Sequence, residues 1–293
     1  MCVCEMEETF PGGRINGEKI NLSEVEIMKN ILKSIGNILF YIVFQIIIVS
    51  IVSVIVGASS ESKEQMQLFI NNNMMVLALI SNILTIVVLV LISIIRKRNL
   101  FKELNIKKVR FKEYIFPCIM AFTCSMAFAL LTYHLSFENA LMIQTGVTYY
   151  SGIMPYLGII LQIVTLLVVA PITEEIICRG LILTTLQKEY RKAVAVTLSA
   201  LLFGVLHLMA GGTVLVLGSF IMGIILGIIC VKTKSLLPAI FAHIFANIPD
   251  FVIGLLPKLS NPSRYGLLII CALVFIAATY KFIKKDDGNT LLA

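Results

Sequence analysis

Apolar residues fill long segments of this chain almost without interruption, and polar residues are concentrated in the stretches between them. A membrane-spanning helix needs about 20 consecutive, mostly apolar residues. The pattern therefore predicts an all-α protein, a polytopic transmembrane helical bundle of about eight spans. The predicted spans are 36–57, 74–95, 114–135, 154–187, 193–210, 213–231, 235–256 and 265–283.

The overall composition supports lipid as the surroundings of most of the chain. Of its 293 residues, 58% are hydrophobic and only 14% are charged, and the mean hydropathy is +0.95. A soluble domain carries about a quarter charged residues. The net charge of +7 comes from basic residues in short loops between apolar segments, which is typical of membrane topology. Membrane lipids are therefore expected partners, and nucleic acid is not.

The distribution of Lys and Arg predicts the orientation of the chain. If the N-terminus is cytosolic, the segments on that side hold 20 of the 24 Lys and Arg residues and the opposite loops hold three. Cytosolic loops carry such an excess, so we expect a multi-pass protein of the cell membrane with both termini in the cytosol. Residues 1–34 then form a cytosolic N-terminal segment, 35–284 the transmembrane domain and 285–293 a short cytosolic tail. The stretch 99–113, with apolar residues among lysines, is expected to be an interfacial amphipathic helix.

A few ionisable residues lie within the predicted spans, where each costs roughly 2.5–3.5 kcal/mol at the membrane centre and usually marks a functional site. Glu175 and Arg179 are four residues apart, so they share a helix face and can form an ion pair. Glu174 is rotated by about 100° from Glu175 and is left free to act. The ionisable residues in or near the spans are Glu174, Glu175, Arg179, His207, His243, Asp250 and His134.

Three of the predicted spans place polar side chains in one layer. His207 ends the segment SALLFGVLH, four residues after Phe203, and Asn247 follows His243 by four residues. Counted from the predicted cytosolic loops at 1.5 Å per residue, Glu174, His207 and Asn247 lie about 18–21 Å deep, and His243 lies about 12 Å deep. The agreement predicts that these side chains meet in one site.

These residue types can hydrolyse an amide. A carboxylate in a low-dielectric pocket can act as a general base for water, which makes Glu174 the candidate base and His207 the candidate that orients the water. His243 and Asn247 can donate hydrogen bonds to the oxyanion that forms. A second possibility is a divalent metal such as zinc on His207, His243 and Glu174 or Glu175. The absence of HExxH favours the metal-free reading, in which no cofactor is required.

At these residues the sequence resembles the CAAX-protease and bacteriocin-processing (CPBP, or Abi) family of intramembrane proteases. The motifs EExxxR, FxxxH and HxxxN mark that family, and they occur here in order from Glu174 to Arg179, from Phe203 to His207 and from His243 to Asn247. Cys178 departs from the aromatic residue that commonly precedes the arginine.

The resemblance covers about residues 155–250 and implies that the transmembrane domain is a protease that hydrolyses peptide bonds. It implies Glu174 as catalytic base, His207 as its partner, and His243 and Asn247 on the oxyanion side. The implied substrates are membrane-associated or hydrophobic peptides, either of CAAX type or precursors in peptide or bacteriocin maturation.

Two other functions use the same residues differently. A transporter or channel would use the polar layer as a path for protons or solutes, but transporters often contain paired repeats with two interrupted helices. Here the polar residues cluster in one half of the chain. A non-catalytic bacteriocin-immunity or regulatory protein would bind a partner in the membrane, and this is the main alternative.

Other residues in the spans have simpler expected roles. His134 is expected to form a hydrogen bond between helices, and Gly223 and Gly227 are expected to allow close helix packing. Asp250 follows Pro249 near the outer end of its span, and we expect a helix-end or interface role for it.

Overall fold

The computed structural model describes residues 14–15, 18–19, 22–59, 62–132, 160–209, 212–255 and 259–284. Nearly all of these residues are helical, as the apolar pattern predicts, apart from a small antiparallel pairing of Arg14–Ile15 with Glu18–Lys19. The helices are α1 (Leu22–Ser59), α2 (Lys63–Asn72), α3 (Met74–Ile95), α4 (Leu100–Glu103), α5 (Lys112–Leu131), α6 (Ile160–Leu186), α7 (Lys192–Leu206), α8 (Thr213–Thr233), α9 (Leu236–Leu255) and α10 (Asn261–Lys284).

Each of the eight predicted spans corresponds to a helix wherever the structure describes it, but fewer helices are long enough to cross a membrane. In the described residues, α1, α3, α5, α6, α8 and α10 meet the criteria of length and apolar composition. The 15 residues of α7 reach roughly 22 Å, less than the hydrocarbon thickness of about 30 Å. The apolar part of α9, Leu237–Ile253, is also short. These two helices carry two of the three motifs.

The amphipathic helix expected over 99–113 is largely wrong. Only Leu100–Glu103 is helical before α5 begins, because the chain turns at Asn105, which has a positive φ of 52°. The turn directs Leu104 inward, where it is 1% exposed and packs against Gly180 of α6. Next to it, the carbonyl of Asn105 accepts a hydrogen bond from the backbone N–H of Leu236 at 3.2 Å. This connection therefore joins α6 to the start of α9.

The first predicted span also has different bounds in the structure. Helix α1 begins at Leu22 and not near residue 36, so it runs through the end of the segment predicted as cytosolic. Helix α2, which follows it, was not predicted. On α1 the side chains of Val54 and Ile55 are 73% and 64% exposed, which suits contact with lipid.

Most of the core lies in the second half of the chain, where α7 packs closely against α8. A side chain at Gly223 would meet the Cα of Ala200 at 2.9 Å, and one at Gly227 would meet Val196 Cγ1 at 2.9 Å. The close packing expected at the two glycines is confirmed. The largest apolar side chains fully buried in this core are Phe203, Leu104, Ile177, Ile182, Leu183, Leu226, Ile229 and Leu236.

Candidate active site

The centre of the site is a fully buried ion pair on α6. Arg179 Nη1 donates to Glu175 Oε1 at 2.6 Å, and both side chains are 0% exposed. Arg179 Nη2 also donates to the carbonyl of Gly223 at 2.9 Å, and the guanidinium lies 4.6 Å from the centre of the Phe203 ring. The i,i+4 spacing therefore produces the expected pair, and α7 and α8 enclose it.

His243 joins the two neighbouring glutamates. Its Nδ1 lies 2.9 Å from Glu175 Oε1, and its Nε2 lies 3.7 Å from Glu174 Oε2. The Glu175 carboxylate accepts hydrogen bonds, so Nδ1 of His243 is the donor in that contact. The ring is thereby fixed with Nε2 directed towards Glu174.

Glu174 faces a cavity, unlike Glu175. Its side chain is 18% exposed, and it lines a space of about 980 Å³ together with His207, His243 and Asn247. The structure therefore brings all four residues of the predicted polar layer to one cavity. Glu175 and Arg179 lie behind its wall.

A local irregularity of α6 explains the position of Asn247. Residues Val164–Val169 form a π-helix, in which the N–H of Ala170 bonds the carbonyl of Thr165, five residues earlier. In that register the next donor, for the carbonyl of Leu166, would be residue 171, but Pro171 has no N–H. Asn247 Nδ2 donates to the Leu166 carbonyl at 2.8 Å instead. One amide hydrogen of Asn247 is therefore structural, and the second remains for a ligand.

A second π-helix, Ile176–Leu183, follows the two glutamates and contains Arg179. Such wide turns are rare and frequently occur at functional sites. At its start, the carbonyl of Cys178 accepts a hydrogen bond from Ser199 Oγ at 2.9 Å, which links α6 to α7.

His207 lies at a helix end and not inside a long span as expected. Helix α7 stops at Leu206, and His207 begins the short 3-10 turn His207–Met209. Its Nδ1 donates to the carbonyl of Phe203 at 2.9 Å, because a carbonyl oxygen can only accept. In the neutral ring Nε2 is then an acceptor. The Phe203 ring stands edge-on to both imidazoles, with centroid distances of 4.8 Å to His207 and 5.5 Å to His243.

Several cavity residues were missed or read differently in the sequence. Tyr41, Gln45 and Asn82 belong to α1 and α3 and line the wall of the cavity. Tyr41 Oη donates to Asn82 Oδ1 at 2.9 Å within the apolar surroundings. Polar amides inside predicted spans were the signal that could have identified them. Asp250 lines the same cavity, which its expected helix-end role did not include. His134 lies outside the described residues.

The possible metal set does not fit this arrangement. Within the described segments, no group of three or more His, Cys, Asp or Glu side chains is placed to hold a metal ion. We therefore develop no mechanism through a metal.

Long apolar helices around a cavity that contains a cluster of polar side chains define a multi-pass membrane protein with a site enclosed among its helices. The family model described as type II CAAX prenyl endopeptidase Rce1-like matches residues 156–249, about a third of the chain. This segment contains all three motifs, so the resemblance to the CAAX-protease family is confirmed there, and it supports a CAAX-type intramembrane endopeptidase. No curated protein and no solved structure matches the chain.

Proposed function

We propose that this protein is an intramembrane endopeptidase that cleaves membrane-associated peptides with water activated by Glu174. The observation that carries the proposal is the difference between the two neighbouring glutamates. Glu175 is fully buried against Arg179, whereas Glu174 faces the cavity beside His243. A carboxylate without a guanidinium partner, in a cavity large enough for a peptide, is suited to accept a proton from water.

The water would lie between Glu174 and His207. One of its hydrogens is directed to the Glu174 carboxylate, and the other to the lone pair on Nε2 of His207. As the water oxygen attacks the peptide carbonyl carbon, Glu174 takes the first proton. It then delivers that proton to the leaving amine nitrogen when the C–N bond breaks. One peptide bond and one water thus give one carboxylic acid and one amine.

The oxyanion would be stabilised from α9. Asn247 lines the cavity, and its Nδ2 has a second hydrogen besides the one donated to Leu166. His243 contributes when its Nε2 carries a proton, and Glu175 holds that ring in place through Nδ1. Donors placed in advance around a developing charge are worth about 2.7–4 kcal/mol each in well-studied hydrolases.

The cavity walls are consistent with an apolar substrate. Apart from the polar residues described above, its lining is mainly aliphatic and aromatic, with Ile42, Phe128 and Leu215 among its members. Such a surface suits a hydrophobic or lipid-modified peptide. A CAAX-type substrate is favoured by the family description, and peptide or bacteriocin maturation is the alternative within the same chemistry.

The test is cleavage by the purified protein in detergent, with fluorogenic lipidated CAAX-type peptides and a library of hydrophobic peptides. The wild-type protein is expected to cleave at least one of them. Glu174→Gln and His207→Asn should each reduce kcat/KM by about 10²–10⁴-fold, the usual contribution of a general base and its partner. Each variant must first elute as a monodisperse folded species.

The matched control is Glu64→Gln, which removes the same charge from an exposed position on α2. It should leave kcat/KM unchanged. Full activity of Glu174→Gln would disprove the mechanism. A wild-type protein that cleaves no peptide of the panel would favour the non-catalytic immunity or regulatory function.

A further inference from the structure

Asp250 shares a face of α9 with the proposed oxyanion donors. It follows His243 by seven residues and Asn247 by three, the spacings that place side chains on one side of a helix. All three line the same cavity. Asp250 also lies just beyond residues 156–249, the segment matched by the family model, so that match gives no information about it.

Its position in the helix does not explain an aspartate. Asp250 lies five residues before Leu255, the last residue of α9, and a carboxylate can only accept hydrogen bonds, so it cannot cap the carbonyls at that end of the helix. Aspartate is a weak helix former, and the preceding Pro249 removes another backbone donor. A helix-end role therefore accounts poorly for this side chain.

Among the residues that the structure describes, no cationic side chain lies on the cavity wall beside Asp250. The acidic side chains on that wall are Glu174 and Asp250, and neither Lys nor Arg is among its lining residues. Among the ion pairs found in the described part of the chain, none involves Asp250. Asp250 is an exposed residue, so its carboxylate is open to water or to a bound cation. An ammonium or guanidinium group of a bound peptide would complement this charge.

We propose that Asp250 binds a positively charged side chain of the peptide substrate and so sets the specificity of the site. The inference rests on the proposed protease function, because the position of the basic residue in the substrate is counted from the bond that is cleaved. Seven helical residues separate Asp250 from His243 by roughly 10 Å along the helix axis. An extended peptide rises about 3.3 Å per residue, so the basic residue lies about three positions from the cleaved bond.

The first experiment compares peptides that differ in one side chain. A cleaved peptide is resynthesised with a single Lys, Glu or norleucine at each of the positions flanking the scissile bond. At one position near the third residue, kcat/KM for Lys should exceed that for norleucine by about tenfold, which corresponds to about 1.4 kcal/mol. Asp250→Asn should bring this ratio close to one. Asp250→Lys should reverse the preference, so that the Glu peptide becomes the better substrate.

A reversed preference distinguishes a substrate contact from a structural role, because a structural defect would lower kcat/KM for all peptides alike. The control is Glu64→Gln, which removes an exposed carboxylate of α2 and should leave the Lys-to-norleucine ratio unchanged. A wild-type ratio near one at every position, or a ratio that Asp250→Asn leaves intact, would overturn the inference while the protease function stands.

A binding measurement makes the two proposals independent. Glu174→Gln protein in detergent is titrated with fluorescent peptides in which Lys or norleucine is placed at each position in turn, so that the sensitive position is found from binding alone. The Lys peptide should bind about tenfold more tightly, and adding Asp250→Asn should remove the difference. Preferential binding of the Lys peptide without any cleavage by the wild-type protein would support the cation site and overturn the protease. Equal binding of both peptides would overturn the cation site.

Discussion

Two neighbouring glutamates of α6, Glu175 and Glu174, point to different sides of the helix and lie in opposite environments. On the enclosed side, Glu175 Oε1 accepts hydrogen bonds from Arg179 Nη1 and His243 Nδ1, with no exposed surface. On the cavity side, Glu174 has a partly exposed side chain, and its contact with His243 is longer, at 3.7 Å. The enclosed carboxylate is neutralised and fixed, whereas its neighbour is available to water.

This difference suggests a role for the buried ion pair in positioning the residues that face the cavity. Burying an ion pair rarely stabilises a protein more than apolar residues of similar volume would. Its benefit here is positional, because Glu175 holds His243 so that Nε2 points at Glu174. Changes on the enclosed side should therefore affect folding first, and changes on the cavity side should affect catalysis.

The largest structural effect is expected from breaking the enclosed ion pair. Glu175→Gln leaves the Arg179 cation buried without its partner, and such losses cost about 3–5 kcal/mol. Thermal unfolding in detergent should show a large fall in stability. The exposed pair of Arg98 and Glu103 is the matched control, and Glu103→Gln should cost at most about 1 kcal/mol.

The double variant Glu175→Gln with Arg179→Met sharpens this prediction. Because neither charge remains, it should be more stable than Glu175→Gln alone. If the double variant loses the sum of the stability lost by Glu175→Gln and by Arg179→Met, the two side chains are energetically independent and do not form an ion pair that stabilises the fold.

A smaller effect is expected where Leu104, in the connection between α3 and α5, packs against Gly180 of α6. A methyl group at Gly180 would overlap Leu104 Cδ2, and overpacking of this kind costs about 1–3 kcal/mol. Gly180→Ala should therefore unfold at a lower temperature than the wild type. Combining it with Leu104→Ala should add no further loss to that of Leu104→Ala, because the new methyl group fills vacated space. Additive losses would contradict the packing.

The smallest effect concerns the amide that compensates for Pro171. Asn247→Ala leaves the Leu166 carbonyl without its donor and should cost about 1 kcal/mol, the net value of a typical hydrogen bond. Pro171→Ala restores a backbone N–H in the register of that carbonyl, so the double variant should recover part of the stability. Catalysis should not recover, because the second amide hydrogen is still missing. If Asn247→Ala is equally stable with and without Pro171→Ala, the Asn247 amide does not replace the backbone N–H that Pro171 lacks.

Much of the fold was predictable because the apolar segments have the length and composition of membrane helices. The amphipathic helix expected over 99–113 failed because the pattern contains no information about the left-handed turn at Asn105. Nor did it show that α7 ends at Leu206, since residues 207–209 are as compatible with a helix as those before them. Tertiary contacts determine both features.

For the site, residue spacing predicted the ion pair and the convergence of Glu174, His207, His243 and Asn247 on one cavity. The spacing could not give the π-helix of Val164–Val169, because its register depends on packing as well as on Pro171. The placement of Asp250 in the cavity wall was missed, although its spacing of seven residues from His243 and three from Asn247 was a signal in the sequence.

Chemical rescue tests most directly whether Glu174 activates water in an accessible cavity. Glu174→Ala removes the carboxylate and leaves a space that formate can occupy, whereas Glu174→Gln keeps that space filled and serves as the control. Glu174→Ala is expected to lose about 10²–10⁴-fold in kcat/KM, and added formate should restore activity in proportion to its concentration without rescuing Glu174→Gln. Wild-type kcat/KM for Glu174→Ala in the absence of formate would contradict the account.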